Sequence, residues 1–178
     1  MKKLSTLVMA LVFGMCGMSY AQEEIYIRGP YEDMDPVKLS RDGDDGKFHY
    51  IPGYDIEFEV EDTPLYIETL SVAKFAHIYK NYDKNLVVSH SLKLVNTNTG
   101  EEIRIPGSKQ GVNILNRKVH YAVVPALGAI KEPLYPGYYK IELYASAGAS
   151  SLPNSAVCAE LFRHKTVVRI RLTDVPFR

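Results

Sequence analysis

The chain has 178 residues, of which 46% are hydrophobic and 24% charged, and its 21 basic residues balance its 21 acidic residues. Near-average apolar content and only two cysteines exclude collagen-like, disordered and disulfide-framework proteins. Zero net charge provides no overall attraction to nucleic acid or to an anionic membrane. We therefore expect one ordinary globular domain with no nucleic-acid partner.

The first 21 residues have the pattern of a bacterial secretory signal peptide. A positive head at Lys2 and Lys3 precedes an apolar run over residues 4–18, and Ser19-Tyr20-Ala21 supplies the small residues that signal peptidase reads. The run is shorter than the roughly 20 apolar residues that span a bilayer. We predict cleavage after Ala21, one domain over residues 22–178 without a transmembrane span, and export to the periplasm, cell surface or medium.

Removing the signal changes the cysteine count and the charge. The remaining chain has 19 basic and 21 acidic residues, a net charge of −2, and Cys158 as its single cysteine. An intramolecular disulfide is then excluded, which leaves a buried thiol or a dimer through an intermolecular disulfide. Burial is favoured because residues 156–159 are apolar and free cysteine is among the most buried residue types.

Alternation of apolar and polar side chains with a period of two predicts β-strands along the chain. The alternating apolar positions include Ile25 and Ile27, then Ile56, Phe58 and Val60, and later Leu92 and Leu94. Turn residues such as Pro52-Gly53 and Asn98-Thr99-Gly100 separate the runs. We predict an all-β fold, an antiparallel β-sandwich of about 7–8 strands. Residues 69–80 are assigned to a strand, with a helix as the alternative.

One short segment has a helical pattern. Asn154 and Ser155 follow Pro153 and precede an apolar run, which is typical of a helix N-cap. We therefore predict a short helical turn near residues 154–161.

Residues 134–143 read Leu-Tyr-Pro-Gly-Tyr-Tyr-Lys-Ile-Glu-Leu, with a Pro-Gly turn followed by Tyr139, Ile141 and Leu143 on one face. This segment resembles the turn into a late strand of immunoglobulin-like and fibronectin-like sandwiches. The resemblance implies an immunoglobulin-like sandwich in which the tyrosine hydroxyl bonds to nearby backbone. It does not extend to the cysteine and tryptophan core of antibody domains, because the chain has no tryptophan.

The acidic segment around residue 44 is a candidate calcium site. Asp42, Asp44 and Asp45 alternate with glycines, and calcium prefers several carboxylate and carbonyl oxygens from one flexible loop. The spacing departs from the known calcium-loop pattern, so a solvated loop is the alternative.

Candidate partner-binding residues fall into two groups, in addition to Cys158. The aromatic side chains of Tyr135, Tyr138 and Tyr144 are suited to anchoring a protein or a sugar. The basic side chains of Lys165, Arg169 and Arg171 are suited to an anionic polymer, or else simply occupy the open face of a strand.

The charges are unevenly divided along the chain. Residues 23–68 hold 14 acids and 4 bases, a net charge of −10, and residues 69–178 hold 7 acids and 15 bases, a net charge of +8. Either the two halves form separate acidic and basic edges that recruit partners, or the sheets interleave them and neutralise the charges in cross-strand pairs.

Motifs for catalysis are incomplete. Ser71-Val72-Ala73-Lys74 matches the Ser-x-x-Lys pattern of penicillin-recognising enzymes, but the accompanying motifs are missing. We therefore predict a non-catalytic, exported binding or assembly protein that recognises a protein or envelope polymer through its end loops at residues 32–46 and 145–164, with no cofactor unless calcium binds. The alternatives are a secreted hydrolase assembled from distant residues, a calcium-stabilised surface module, and a protease inhibitor, since residues 96–100 resemble one loop of chagasin-like inhibitors.

Overall fold

The computed structural model describes residues 23–41, 47–78, 86–114, 121–149, 152 and 156–176. These residues form twelve strands and one short 3-10 helix at Arg163–Lys165. The strands are β1 (Glu23–Arg28), β2 (Val37–Ser40), β3 (His49–Tyr50), β4 (Ile56–Val60), β5 (Leu65–His77), β6 (Leu86–Asn96), β7 (Glu102–Arg104), β8 (Gln110–Ile114), β9 (Tyr121–Leu134), β10 (Gly137–Gly148), β11 (Val157–Leu161) and β12 (Val167–Thr173).

The strands form two antiparallel sheets. In the first, called sheet A, β1, β12, β5 and β9 lie side by side in that order. The long β5 extends beyond the end of β12, where it pairs with β11, and β11 pairs in turn with β2. In sheet B, β10 and β6 are the central pair; β3 and β4 flank β10, and β7 and β8 flank β6.

The core lies between the sheets and follows the alternation of the sequence. On β4, Ile56, Phe58 and Val60 are buried while the intervening glutamates are exposed. Leu92 and Leu94 of β6 are fully buried, as the sequence predicted. Each buried Leu, Ile or Phe side chain stabilises the fold by about 1.5–3 kcal/mol relative to exposure, so this shared apolar layer is what joins the two sheets.

The antiparallel sandwich is confirmed, but its strand order is that of a jelly roll. Consecutive long strands alternate between the sheets: β4, β5 and β6 lie in sheets B, A and B, and β9, β10 and β12 lie in A, B and A. An immunoglobulin sandwich instead keeps its last two strands together in one sheet, and jelly rolls are double-sheet folds of eight strands. The immunoglobulin-like order is therefore wrong. The strand count also exceeds 7–8 because β2, β3, β7 and β11 are short pieces that pair alongside longer strands.

Two local assignments had different outcomes. The strand assignment of residues 69–80 is confirmed over the described part, since β5 runs through His77 and residues 79–80 lie outside the described ranges. The helical turn near residues 154–161 is wrong for Val157–Leu161, which forms β11; residues 153–155 are not described. Pairing with β5 and β2 provides β11 with backbone partners on both sides, and this outweighs the local capping signal.

The predicted turn between β6 and β7 is confirmed. Asn96 O accepts a hydrogen bond from Gly100 N at 2.8 Å, and Asn96 Oδ1 accepts one from Asn98 N at 3.0 Å. Gly100 has a φ of 75°, a left-handed conformation that glycine adopts without steric cost. The turn thus sets the register in which Val95 faces Glu102.

The two oppositely charged halves of the chain interleave in the described sheets. Arg171 of β12 contacts Glu23 of β1 and Glu68 of β5, and Lys140 of β10 lies opposite Glu57 of β4. Cross-strand neutralisation is therefore the alternative that the structure supports, and the halves do not form separate charged domains.

Candidate functional site

Two of the predicted basic residues lie together on the outer face of sheet A. Arg169 and Arg171 are successive outward residues of β12, because the residues between and beside them point into the core. We call this surface the Arg169 face, formed by the outward side chains of β1, β12, β5 and β9. Lys165 does not join it in the sheet, since it lies in the 3-10 helix that precedes β12.

Cross-strand register orders the Arg169 face into rows. One row runs Ile27, Arg169, Leu70 and Leu127 from β1 to β9. The next runs Ile25, Arg171, Glu68 and Ala129. In both rows the outer strands therefore carry apolar side chains, and the middle strands carry Arg169 beside Leu70 in the first row and Arg171 beside Glu68 in the second.

The apolar side chains of this face are unusually exposed. Their exposed fractions are 47% for Ile25, 54% for Ile27, 57% for Tyr121, 60% for Val123 and 66% for Leu127. Single exposed apolar residues are common on protein surfaces, whereas five on the two outer strands of one sheet face make that face the candidate interaction surface. The alternation of Ile25 and Ile27 correctly predicts a strand, but these side chains face outward and Tyr26 packs against the core.

The two arginines differ in their partners. Arg171 Nε lies 3.1 Å from Glu23 Oε1, and Arg171 Nη1 lies 3.7 Å from Glu68 Oε2. Arg169 makes no hydrogen bond or ion pair with any residue that the structure describes. Both arginines line a shallow pocket of about 260 Å³ together with Glu23, Glu68, Leu70 and Leu127. The pocket therefore offers an unpaired guanidinium beside an aliphatic wall, which is suited to a carboxylate carried on an apolar surface.

A cation–aromatic contact borders the same face. Lys74 Nζ lies 4.5 Å from the centroid of the Tyr121 ring and 5.5 Å from that of Phe162. Lys74 points outward from β5, whereas Ser71 points inward and is buried. A three-residue spacing in a strand places two side chains on opposite faces, so the Ser-x-x-Lys match does not form a joint site.

Ser71 has a different partner, which sequence inspection missed. Its Oγ lies 2.9 Å from His90 Nε2 of β6, in the core between the two sheets. Ser71 is 1% exposed and His90 is not exposed at all, so a substrate cannot reach the pair. No described carboxylate bonds to His90 Nδ1. The pair is a structural hydrogen bond between the two sheets. The burial of His90 could have been predicted from the sequence, because His90 continues the inward alternation of Leu92 and Leu94 on β6.

The tyrosine hydroxyl bond implied by the sandwich resemblance is present. Tyr139 donates a hydrogen bond to the Tyr135 carbonyl oxygen at 2.9 Å, and Tyr139, Ile141 and Leu143 are buried together. Tyr135 and Tyr138 are exposed at the turn between β9 and β10. Tyr135 and Tyr138 therefore lie together at one end of the sandwich.

Tyr144 lies elsewhere, on the outer face of sheet B, in a network that is internally satisfied. Its hydroxyl donates to Glu142 Oε2 at 2.8 Å, and Lys93 Nζ lies 4.3 Å from its ring centroid. Lys140 Nζ lies 2.5 Å from Glu142 Oε1. Burial alone would raise the pKa of Glu142, but the bonds from Lys140 and Tyr144 outweigh it and lower that pKa. The three predicted tyrosines therefore do not form one binding surface.

Cys158 is buried rather than available to a partner. Its thiol lies 3.8 Å from the Leu39 carbonyl oxygen, and burial raises its pKa to about 11. A disulfide-linked dimer through Cys158 is therefore incompatible with this structure, and burial is the alternative that is confirmed.

The remaining predicted sites fall partly outside the described residues. Asp42, Asp44 and Asp45 are not described, so the calcium site stays a prediction. Within the described part of the chain, no group of His, Cys, Asp and Glu side chains is arranged to hold a metal ion. The segment 145–164, expected to be a loop, is largely strand and 3-10 helix because β10 extends to Gly148 and β11 begins at Val157. Within the same described residues, no helix has the length and apolarity needed to cross a bilayer.

Comparisons with known proteins identify no family. No protein-family model and no curated protein sequence matches the chain. The globular domain of zebrafish complement 1qA protein is similar over 89% of this chain and 100% of its own, with 12% identity and a TM-score of 0.39. An infectious bursal disease virus VP2 subviral particle is similar over 86% of this chain and 38% of its own, with 11% identity and a TM-score of 0.46. Eiger TNF from S. frugiperda is similar over 74% of this chain and 92% of its own, with 10% identity and a TM-score of 0.37.

Proposed function

We propose that this chain is a non-catalytic binding or assembly protein of the bacterial envelope or surface, exported by its first 21 residues, and that the Arg169 face binds its protein partner. The observation that carries the proposal is the exposed side chain of Leu127 beside Arg169, whose guanidinium has no partner among the residues that the structure describes. Covering such a face with a partner is favourable by about 25 cal/mol for each Å² of apolar area removed from water.

The chemistry of the face favours a protein over a sugar or a polyanion. Aliphatic side chains dominate its outer strands, and in the pocket Glu23 of β1 and Glu68 of β5 offset the charges of the two arginines. A polyanion would meet these carboxylates, whereas a folded protein surface supplies both apolar contacts and a carboxylate for Arg169.

Site-specific photo-crosslinking in the native cell tests the proposal. A photoreactive amino acid replaces Leu127 in one variant and Val87 in the other, since Val87 is also an exposed aliphatic residue but belongs to β6 of sheet B. We expect a protein adduct from position 127 and none from position 87, and we expect Arg169→Glu to weaken the adduct at least fivefold. Equal adducts at both positions, or none at position 127, would contradict the proposal.

A further inference from the structure

We propose that the partner of the Arg169 face is a second copy of this chain, in a two-fold symmetric dimer; this inference rests on the proposed function. The face is four strands wide, with β12 and β5 in the middle and β1 and β9 outside. The two-fold axis lies in the interface, parallel to the strands and midway between β12 and β5. It places β12 of one copy against β5 of the other, and β1 of one copy against β9 of the other. Each copy then presents the same patch to the other, as an isologous interface requires.

The rows of the face are complementary under this operation. Ile27, Arg169, Leu70 and Leu127 of one copy lie opposite Leu127, Leu70, Arg169 and Ile27 of the other. Both outer isoleucines therefore meet apolar residues of β9, because Ile27 faces Leu127 and Ile25 faces Ala129.

The charges are complementary in the same arrangement. The row Ile25, Arg171, Glu68 and Ala129 places Arg171 of each copy opposite Glu68 of the other. Arg169 belongs to the neighbouring row, about 7 Å away along the strand, which is within the reach of an arginine side chain. The unpaired guanidinium of Arg169 thereby gains the carboxylate of Glu68 from the second copy.

The charge sum and the area of the face are also consistent with a dimer. Two arginines and two glutamates, Glu23 and Glu68, make the pocket of each copy neutral, so the two pockets face each other without net repulsion. Four strands spaced about 4.8 Å apart, over about nine residues of β5, cover roughly 500 Å² of each copy. Two facing copies therefore cover on the order of 1,000 Å², the lower limit for a specific interface.

Sedimentation of the purified protein over a wide concentration range tests this inference. We expect a species of twice the monomer mass that dissociates on dilution. Leu127→Asp and Arg169→Glu are expected to raise the dimer dissociation constant at least tenfold. Matched controls on sheet B, Val87→Asp and Arg104→Glu, are expected to leave it within twofold. Circular dichroism and thermal unfolding of each variant check that it is folded.

A charge exchange tests the pairing itself. Glu68→Arg alone is expected to weaken the dimer at least tenfold, because it sets an arginine at position 68 against Arg169 and Arg171 of the second copy. The double variant Glu68→Arg with Arg169→Glu is expected to bind at least threefold more tightly than Glu68→Arg alone, because it restores one of these two charge pairs. A wild-type protein that stays monomeric at roughly 100 µM, where a dimer with a micromolar dissociation constant is almost fully formed, would overturn the inference. So would a dimer insensitive to Leu127→Asp, or a double variant that binds no more tightly than Glu68→Arg alone.

The two proposals fail in distinguishable ways. A monomeric protein that still forms an adduct with an unlike protein from position 127 disproves the dimer and keeps the proposed function. Absence of both the dimer and the adduct disproves both proposals. An adduct from position 127 with the mass of two chains supports both.

Discussion

Ser71 Oγ and His90 Nε2 lie 2.9 Å apart in the middle of the sandwich and form a hydrogen bond between β5 of sheet A and β6 of sheet B. Both side chains are buried, and the Phe75 ring lies 6.4 Å from the imidazole ring. A buried polar group is tolerated in an apolar core when it is hydrogen-bonded, so each residue of the pair compensates the burial of the other.

We predict that Ser71→Ala lowers the free energy of unfolding by about 1–3 kcal/mol, because it leaves a buried nitrogen of His90 without a partner. Denaturant unfolding at pH 7.5 measures the change. Ser40→Ala, in β2, is the matched control and is expected to change stability by no more than about 0.5 kcal/mol. Equal effects of the two substitutions would show that the hydrogen bond contributes little.

Stability is expected to fall as the pH decreases from about 6.5 to 4. Burial lowers the pKa of His90 to about 4, whereas an unfolded histidine titrates near 6.5. Between these values the unfolded chain binds a proton that the folded chain does not, so lowering the pH favours unfolding by up to about 3 kcal/mol from this residue.

The measurement for this pH effect compares unfolding of the wild type with that of His90→Gln at pH 7.5 and pH 4.5. The wild type is expected to lose more stability than the variant over this interval, because other titrating groups contribute equally to both. An identical loss in wild type and His90→Gln would contradict the assignment.

Tyr139→Phe is expected to destabilise the protein by about 1 kcal/mol. The substitution removes the hydroxyl that donates to the Tyr135 carbonyl at the turn between β9 and β10, while the buried ring is kept. Tyr138→Phe provides the control in the adjacent position, where the side chain is exposed, and its effect is expected to stay below about 0.5 kcal/mol. Chemical denaturation measures both, and the prediction fails when the two variants are equally stable.

Cys158 is expected to resist thiol reagents in the folded protein. Its side chain has no exposed surface, and its pKa of about 11 leaves little thiolate at pH 8. Cys158 is the single cysteine of residues 22–178, and its labelling in that proposed exported form is followed with and without denaturant. We expect labelling to be at least a hundredfold faster in the unfolded chain. Rapid labelling of the folded protein would mean that the region around β11 opens readily.

Local sequence patterns were sufficient to predict the strands, the buried face of some of them and one of the turns between them. The alternation of Ile56, Phe58 and Val60 identifies both the strand and its buried face. The resemblance of the segment around Tyr139 to a sandwich turn implies a specific hydrogen bond, and the two residues that form it, Tyr135 and Tyr139, are only four positions apart. Such features depend on neighbours in the chain, so one sequence contains the information they need.

Other features depended on pairing between distant segments. Val157–Leu161 became a strand because β2 and β5 lie beside it, and the direction of Ile25 and Ile27 depended on which face of β1 meets sheet B. The jelly-roll order likewise follows from which strands pair across long connections, and a short tyrosine-containing segment carries no information about it.

Local sequence patterns predict the antiparallel sandwich and the turn at Tyr139, and the cysteine count leaves Cys158 without a partner within residues 22–178. The contacts of Arg171 with Glu23 and Glu68, the lack of a described partner for Arg169, and the bond between Ser71 and His90 emerge only when the strands pair. The two groups of properties differ in how far apart along the chain the interacting residues lie. Alternation and turns are local, whereas burial and ion pairing depend on cross-strand register between segments up to 148 residues apart.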